Sequence, residues 1–82
     1  MIKINLINGE FNKQDTIDLI TQMIHVKIKY HENKIINNHS EEDIKYRESK
    51  IKILQSELRK LKNEVDSNNA SCRIISVIQI DR

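Results

Sequence analysis

The sequence predicts a mainly α protein: an antiparallel, coiled-coil-like two-helix hairpin flanked by short N- and C-terminal β-strands, in the order β-α-α-β. In the second half of the chain, apolar residues recur at alternating steps of about three and four residues. This seam consists of Ile44, Ile51, Leu54, Leu58, Leu61 and Val65, with Arg47 in the one slot that is not apolar. Such a seam buries well only against another helix, and residues 12–38 supply one. One glycine and no proline in 82 residues leave few turns, as two long helices require.

The first strand is predicted at residues 2–8, where apolar and polar residues alternate. We expect Asn8-Gly9 to end it, because this dipeptide is typical of turns. A helix start follows at Asn12, whose side chain can accept a hydrogen bond from the backbone N–H of Asp15. The first helix is therefore predicted at residues 13–36.

The first helix is apolar over an unusually wide arc. At ~100° per residue its apolar side chains form two edges that together cover roughly 200°, whereas one neighbouring element requires about 100°. The two edges are formed by Ile17, Ile20, Ile24, Ile28, His31 and Ile35, and by Leu19, Met23, Val26 and Tyr30. The helix is therefore expected to face at least two surfaces: one is the second helix, and the other is a sheet, a second subunit or a foreign partner.

A turn is predicted at residues 37–40, because Asn tolerates the left-handed backbone that often ends a helix. Ser40 with Asp43 then marks the start of the second helix, predicted at residues 41–65, with acidic residues at the positive end of the helix dipole. A turn this short makes the two helices antiparallel neighbours.

A polar connector is predicted at residues 66–72 and a second strand at residues 73–80. Because the hairpin returns to its own base, the two strands are expected to pair antiparallel there. The second strand is apolar on both faces, with Ile74, Ile78 and Ile80 on one and Ile75 and Val77 on the other. A two-stranded ribbon is marginal alone, so this strand requires cover on both sides or pairing with a second subunit.

The chain is predicted to form a single domain, residues 1–82, that assembles as a homodimer in a four-helix arrangement. A chain of 82 residues buries little apolar surface alone, and its lone Cys72 excludes an internal disulfide. The predicted interface consists of Leu19, Met23, Val26, Tyr30, His31 and Arg47. Another helical protein is the alternative partner.

Two of these interface residues are polar and carry separate interpretations. Arg47 in the seam either specifies register or partner, or packs its stem while its head reaches water near the helix start; the second reading is favoured. Glu32 lies near the same end of the hairpin and is a candidate ion-pair partner. His31 is interpreted as a core or interface histidine, whose protonation near pH 6 would weaken assembly.

Several functional classes are not supported by the sequence. A Gly-rich phosphate loop requires more than one glycine, and His25 and His31, six residues apart, point to different faces of the helix. We therefore predict no enzyme activity, no metal and no cofactor. We expect a cytoplasmic protein without membrane association, because no run of ~18 apolar residues occurs.

The predicted function is a non-enzymatic protein-protein interaction or scaffold module. The alternative, not favoured, is a nucleic-acid-binding accessory protein. Lys45, Lys52 and Arg59 repeat every seven residues and form a basic stripe on the second helix, which can follow phosphates. No aromatic residue is interleaved with the stripe for base stacking, and the net charge is only +2.

Overall fold

The chain folds into two strands and two helices in a computed structural model that describes residues 1–66 and 71–82. Their order is β1 (Ile2–Phe11), α1 (Lys13–Ile36), α2 (Glu41–Asp66) and β2 (Cys72–Ile80). β1 and β2 form a two-stranded antiparallel sheet, and the two helices form a hairpin. The predicted mainly α fold and its β-α-α-β order are confirmed. Most of the predicted connector lies at 67–70, outside the described residues.

Local hydrogen bonds define where both helices begin. Asn12 Oδ1 accepts the backbone N–H of Asp15 at 2.7 Å, and Thr16 Oγ1 donates to the Asn12 carbonyl at 2.8 Å. At α2, Ser40 Oγ accepts the backbone N–H of Asp43 at 3.4 Å. Asn37, which ends α1, has a φ of −105°, so the left-handed backbone expected there is not adopted.

The ribbon differs from the prediction in length and register. β1 continues to Phe11, so the expected end of the strand at Asn8-Gly9 was wrong. Both residues pair with β2, where Asn8 lies opposite Ile75 and Gly9 opposite Ile74, because a partner strand can hold in extended form a dipeptide that turns elsewhere. A β-bulge lies between Asn5 and Ile7, where one extra residue interrupts the pairing.

The ribbon leaves the hairpin at a steep angle. The molecule measures 46 × 34 × 14 Å. If the ribbon continued the hairpin end to end, the molecule would be about 70 Å long. If the ribbon lay alongside the hairpin, the second-longest dimension of the molecule would be only ~15 Å. Neither agrees with the observed extents, so the fold has two arms. They meet at the base, where the helices join the strands.

The core is small, and its apolar part lies at this base. Among the described residues, the buried apolar side chains are Ile7 and Val65, the buried polar ones are Thr16 and His31, and no side chain is fully buried. The radius of gyration is 15.4 Å, whereas a compact chain of this length has about 12 Å. A single copy therefore leaves much of its apolar surface in water.

Candidate interaction surfaces

The seam between α1 and α2 is open on both sides, because only two helices form it. On one side a groove is lined by Ile20, Ile24, Glu57, Lys60, Leu61 and Glu64. On the other side a groove is lined by His25, Ile28, Lys29, Glu32, Gln55, Leu58, Arg59 and Lys62. The two sides of the hairpin therefore differ in chemistry.

The second apolar edge of α1, formed by Leu19, Met23, Val26 and Tyr30, begins beside the first groove and continues over the outer face of the helix. At 100° per residue, Met23 and Tyr30 lie nearer to Ile20, and Val26 lies nearer to Lys29 of the second groove. On α2, Ile53 and Tyr46 lie four and eleven residues before Glu57 and so share its face. We define the apolar side by the six residues Leu19, Met23, Val26, Tyr30, Tyr46 and Ile53.

The predicted interface set is divided by the structure. Leu19 and Met23 are half-buried, whereas Val26 is 72 % and Tyr30 52 % exposed, and all four lie on the apolar side. His31 and Arg47 lie elsewhere: they contact each other between α1 and α2 of the same chain. Four of the six residues thus follow one ridge of α1, which is half-buried at Leu19, beside Phe11, and exposed at Val26 and Tyr30.

His31 and Arg47 belong to a polar cluster near the tip of the hairpin. Arg47 Nη1 lies 3.2 Å from Nδ1 of His31, and Arg47 Nε donates to Oδ2 of Asp43 at 3.2 Å. Asn38 Nδ2 donates to the same carboxylate oxygen. The Tyr30 ring packs against this cluster, with the Arg47 guanidinium carbon 5.8 Å from the ring centre. The head of Arg47 is thus held by side chains and does not simply reach water, and its ion pair is with Asp43.

The hydrogen bond to Arg47 determines the protonation of His31. A guanidinium can only donate, so Nδ1 of His31 must be the acceptor and the ring proton lies on Nε2. His31 is 7 % exposed. Burial, followed by the positive charges of Arg47, Lys27 and Lys50, lowers the pKa of His31 below its ordinary value of 6.5. The neutral imidazole is therefore the form that fits the folded hairpin.

The second side of the hairpin is basic. We define the basic side by the groove residues His25, Lys29, Arg59 and Lys62 together with Lys45 and Lys52. The three residues of the predicted stripe, Lys45, Lys52 and Arg59, are all exposed. The groove adds Lys29 from α1 to this set, but it also contains Glu32. Glu32, proposed above as a partner for Arg47, thus lies beside other cations.

Tyr46 and Ile53 are surface apolar residues that the sequence reasoning missed. They are 56 % and 54 % exposed, and the Lys50 ammonium lies 5.2 Å from the centre of the Tyr46 ring. The signal was present in their seven-residue spacing next to the seam, which repeats one face of a helix. Together with Val26 and Tyr30 they extend the apolar side across both helices.

Other kinds of site receive no support from the described residues. No group of three or more His, Cys, Asp or Glu among them is placed to hold a metal ion. Cys72 has a free thiol and is half-buried opposite Phe11. Neither helix, over its described residues, combines the length and apolar character needed to cross a bilayer.

Comparison with known proteins gives no assignment: no protein-family model, curated protein or solved structure matches the chain.

Proposed function

We propose that the protein is a small, non-enzymatic interaction module that self-associates through its helical hairpin. The apolar side is the interface, and the partner is a second copy of the chain in a four-helix arrangement. The observation that carries this proposal is the excess of accessible surface on a single copy.

The accessible surface of one copy is 6638 Å². A compact monomer of 9.7 kDa exposes about 5100 Å². The excess, about 1500 Å², exceeds the ~800 Å² that each partner buries in a standard stable interface. One interface of standard size would therefore remove about half of this excess from water.

The apolar side has the properties of a helix-packing surface. Its four residues on α1 follow steps of three and four residues, so they form one ridge along about three turns of helix. Tyr30 and Tyr46 offer large apolar rings with a hydroxyl that can remain at a wet rim. Two such sides related by a two-fold axis give four packed helices.

Sedimentation equilibrium over a concentration series tests the proposal. We expect a dimer at low micromolar concentration, and Val26→Glu should raise the dissociation constant at least tenfold, because a carboxylate would be buried without a partner. Gln55→Glu is the matched control: it adds the same charge on the basic side and should leave the dissociation constant unchanged. A wild-type chain that remains monomeric at hundred-micromolar concentration would contradict self-association.

A second candidate function, nucleic-acid binding, is favoured by one observation: the groove on the basic side joins Lys29 of α1 to the stripe on α2. Anisotropy of labelled duplex and single-stranded oligonucleotides tests it. Binding should weaken steeply between 50 and 200 mM salt, and Lys52→Glu should weaken it further, whereas Lys60→Glu on the opposite side should not. Lack of binding at 50 mM salt would eliminate this candidate.

A further inference from the structure

We propose that the free end of the ribbon is a second self-association surface, covered in solution by another copy of the chain. The surface is the isoleucine quartet, formed by Ile2, Ile4, Ile78 and Ile80. This inference rests on the proposed self-association and extends it from the hairpin to the sheet.

The β-bulge creates the quartet. In an uninterrupted strand, residues 2 and 4 would lie on the face opposite Ile7, because side chains alternate. The extra residue between Asn5 and Ile7 shifts this alternation by one. Ile4 and Ile2 therefore join the face of Ile7, opposite Ile78 and Ile80 of β2.

The helices cover only the base half of this face. Ile7, near the middle of the ribbon, is 8 % exposed, whereas the four members of the quartet are 39 % to 50 % exposed. All five isoleucines lie on the same face, so their unequal exposure reflects their position along the ribbon. The ribbon leaves the hairpin at a steep angle, and the free end of the ribbon extends beyond the helices. The result is two adjacent cross-strand isoleucine pairs, Ile2–Ile80 and Ile4–Ile78, in water.

The chemistry of the face favours a second copy over a foreign partner. None of its residues in the described strands is charged; Lys3, Glu10 and Arg73 lie on the opposite face. Interfaces between identical subunits are the most apolar ones, and a two-fold axis would place the quartet against its own counterpart. The ~1500 Å² of excess surface is large enough for the quartet and the apolar side to be covered together.

We expect the two ribbons to stack face to face and not to pair edge to edge, because the surface that must be buried is the isoleucine quartet. A strand added at either edge would satisfy backbone groups but leave the isoleucines in water. A second ribbon packed on the face, ~10 Å away, removes them from water. It also supports a two-stranded ribbon, which is marginal in isolation.

Adjacent residues on β2 provide a matched pair of variants. Ile78→Lys places a charge in the quartet, and Val77→Lys places the same charge on the opposite face, where Val77 is already 51 % exposed. In sedimentation equilibrium of the full chain, Ile78→Lys should raise the dissociation constant at least tenfold and Val77→Lys less than twofold. Equal effects of the two variants would overturn the inference. Circular dichroism should give the same helix content for both.

Intermolecular methyl NOEs in a mixture of isotope-labelled and unlabelled chains provide a readout that does not depend on a variant. Contacts from the quartet methyl groups to the other copy would support the inference. A wild-type dimer that is weakened by Val26→Glu but shows no intermolecular NOE from the quartet would overturn it and leave the proposed function intact. A wild-type monomer would overturn both.

Discussion

The two helix caps differ in geometry, and this difference predicts unequal energetic contributions. Asn12 Oδ1 accepts the Asp15 N–H at 2.7 Å, within the range of strong hydrogen bonds, whereas Ser40 Oγ accepts the Asp43 N–H at 3.4 Å, beyond it. Replacing a well-formed Asn cap by Ala costs about 1 kcal/mol, so Asn12→Ala should lower the Tm by about 4–8 °C in a domain of this size. Ser40→Ala should cost less than ~0.5 kcal/mol.

Asn38 is a further reason for the small effect at Ser40. Its Oδ1 accepts the backbone N–H of Ser40 at 2.9 Å, and this bond does not involve the serine side chain. The turn thus keeps one of its polar contacts in Ser40→Ala, whereas Asn12→Ala leaves the Asp15 N–H without its side-chain acceptor.

Thermal unfolding followed by circular dichroism measures both variants. All samples need the same protein concentration, because self-association would shift the Tm. Asn12→Asp is the control that retains an acceptor, and its Tm should stay within about 2 °C of wild type. The reasoning is refuted if Ser40→Ala lowers the Tm as much as Asn12→Ala, or if Asn12→Asp behaves like Asn12→Ala.

The remaining predictions concern the cluster at the hairpin tip. Because the pKa of His31 is lower in the folded chain than its ordinary 6.5, the unfolded chain binds more protons as the pH falls through that value. In urea unfolding, the free energy of unfolding should therefore be at its full value above about pH 6.5 and should decline as the pH falls from there to the folded pKa of His31. His31→Gln should reduce this decline. An unchanged pH dependence in His31→Gln would contradict the assignment of the decline to His31. Arg47→Met removes the nearest cation from His31 and should also reduce the decline. At pH 8 the pair with Asp43 accounts for only ~0.3–0.5 kcal/mol of the loss, because partly exposed pairs of this spacing contribute little. The variant should lose more than this, because it also removes the donor to the buried Nδ1 of His31.

The helices could be predicted because their signals are local. Capping residues lie within three positions of the N–H groups that they satisfy, and the seam repeats within one helix, so Asn12 and the leucines of α2 were sufficient to identify both elements. The continuation of β1 through Asn8-Gly9 could not be predicted, for the opposite reason: whether this dipeptide turns or extends depends on β2, more than sixty residues away. Tyr46 and Ile53 were not predicted as surface apolar residues, because they lie outside the periodic seam of α2.

The sequence by itself determined the order of elements, the helical seam and the surplus of apolar residues, since spacing and composition do not depend on how the chain closes. Only the tertiary structure decided where that surplus lies. The bulge at the middle of β1 sets which face Ile2 and Ile4 occupy, and a shift of one residue in pairing reverses a whole face. The structure likewise placed His31 against Arg47, sixteen residues away, because antiparallel helix packing sets which side chains meet across the seam.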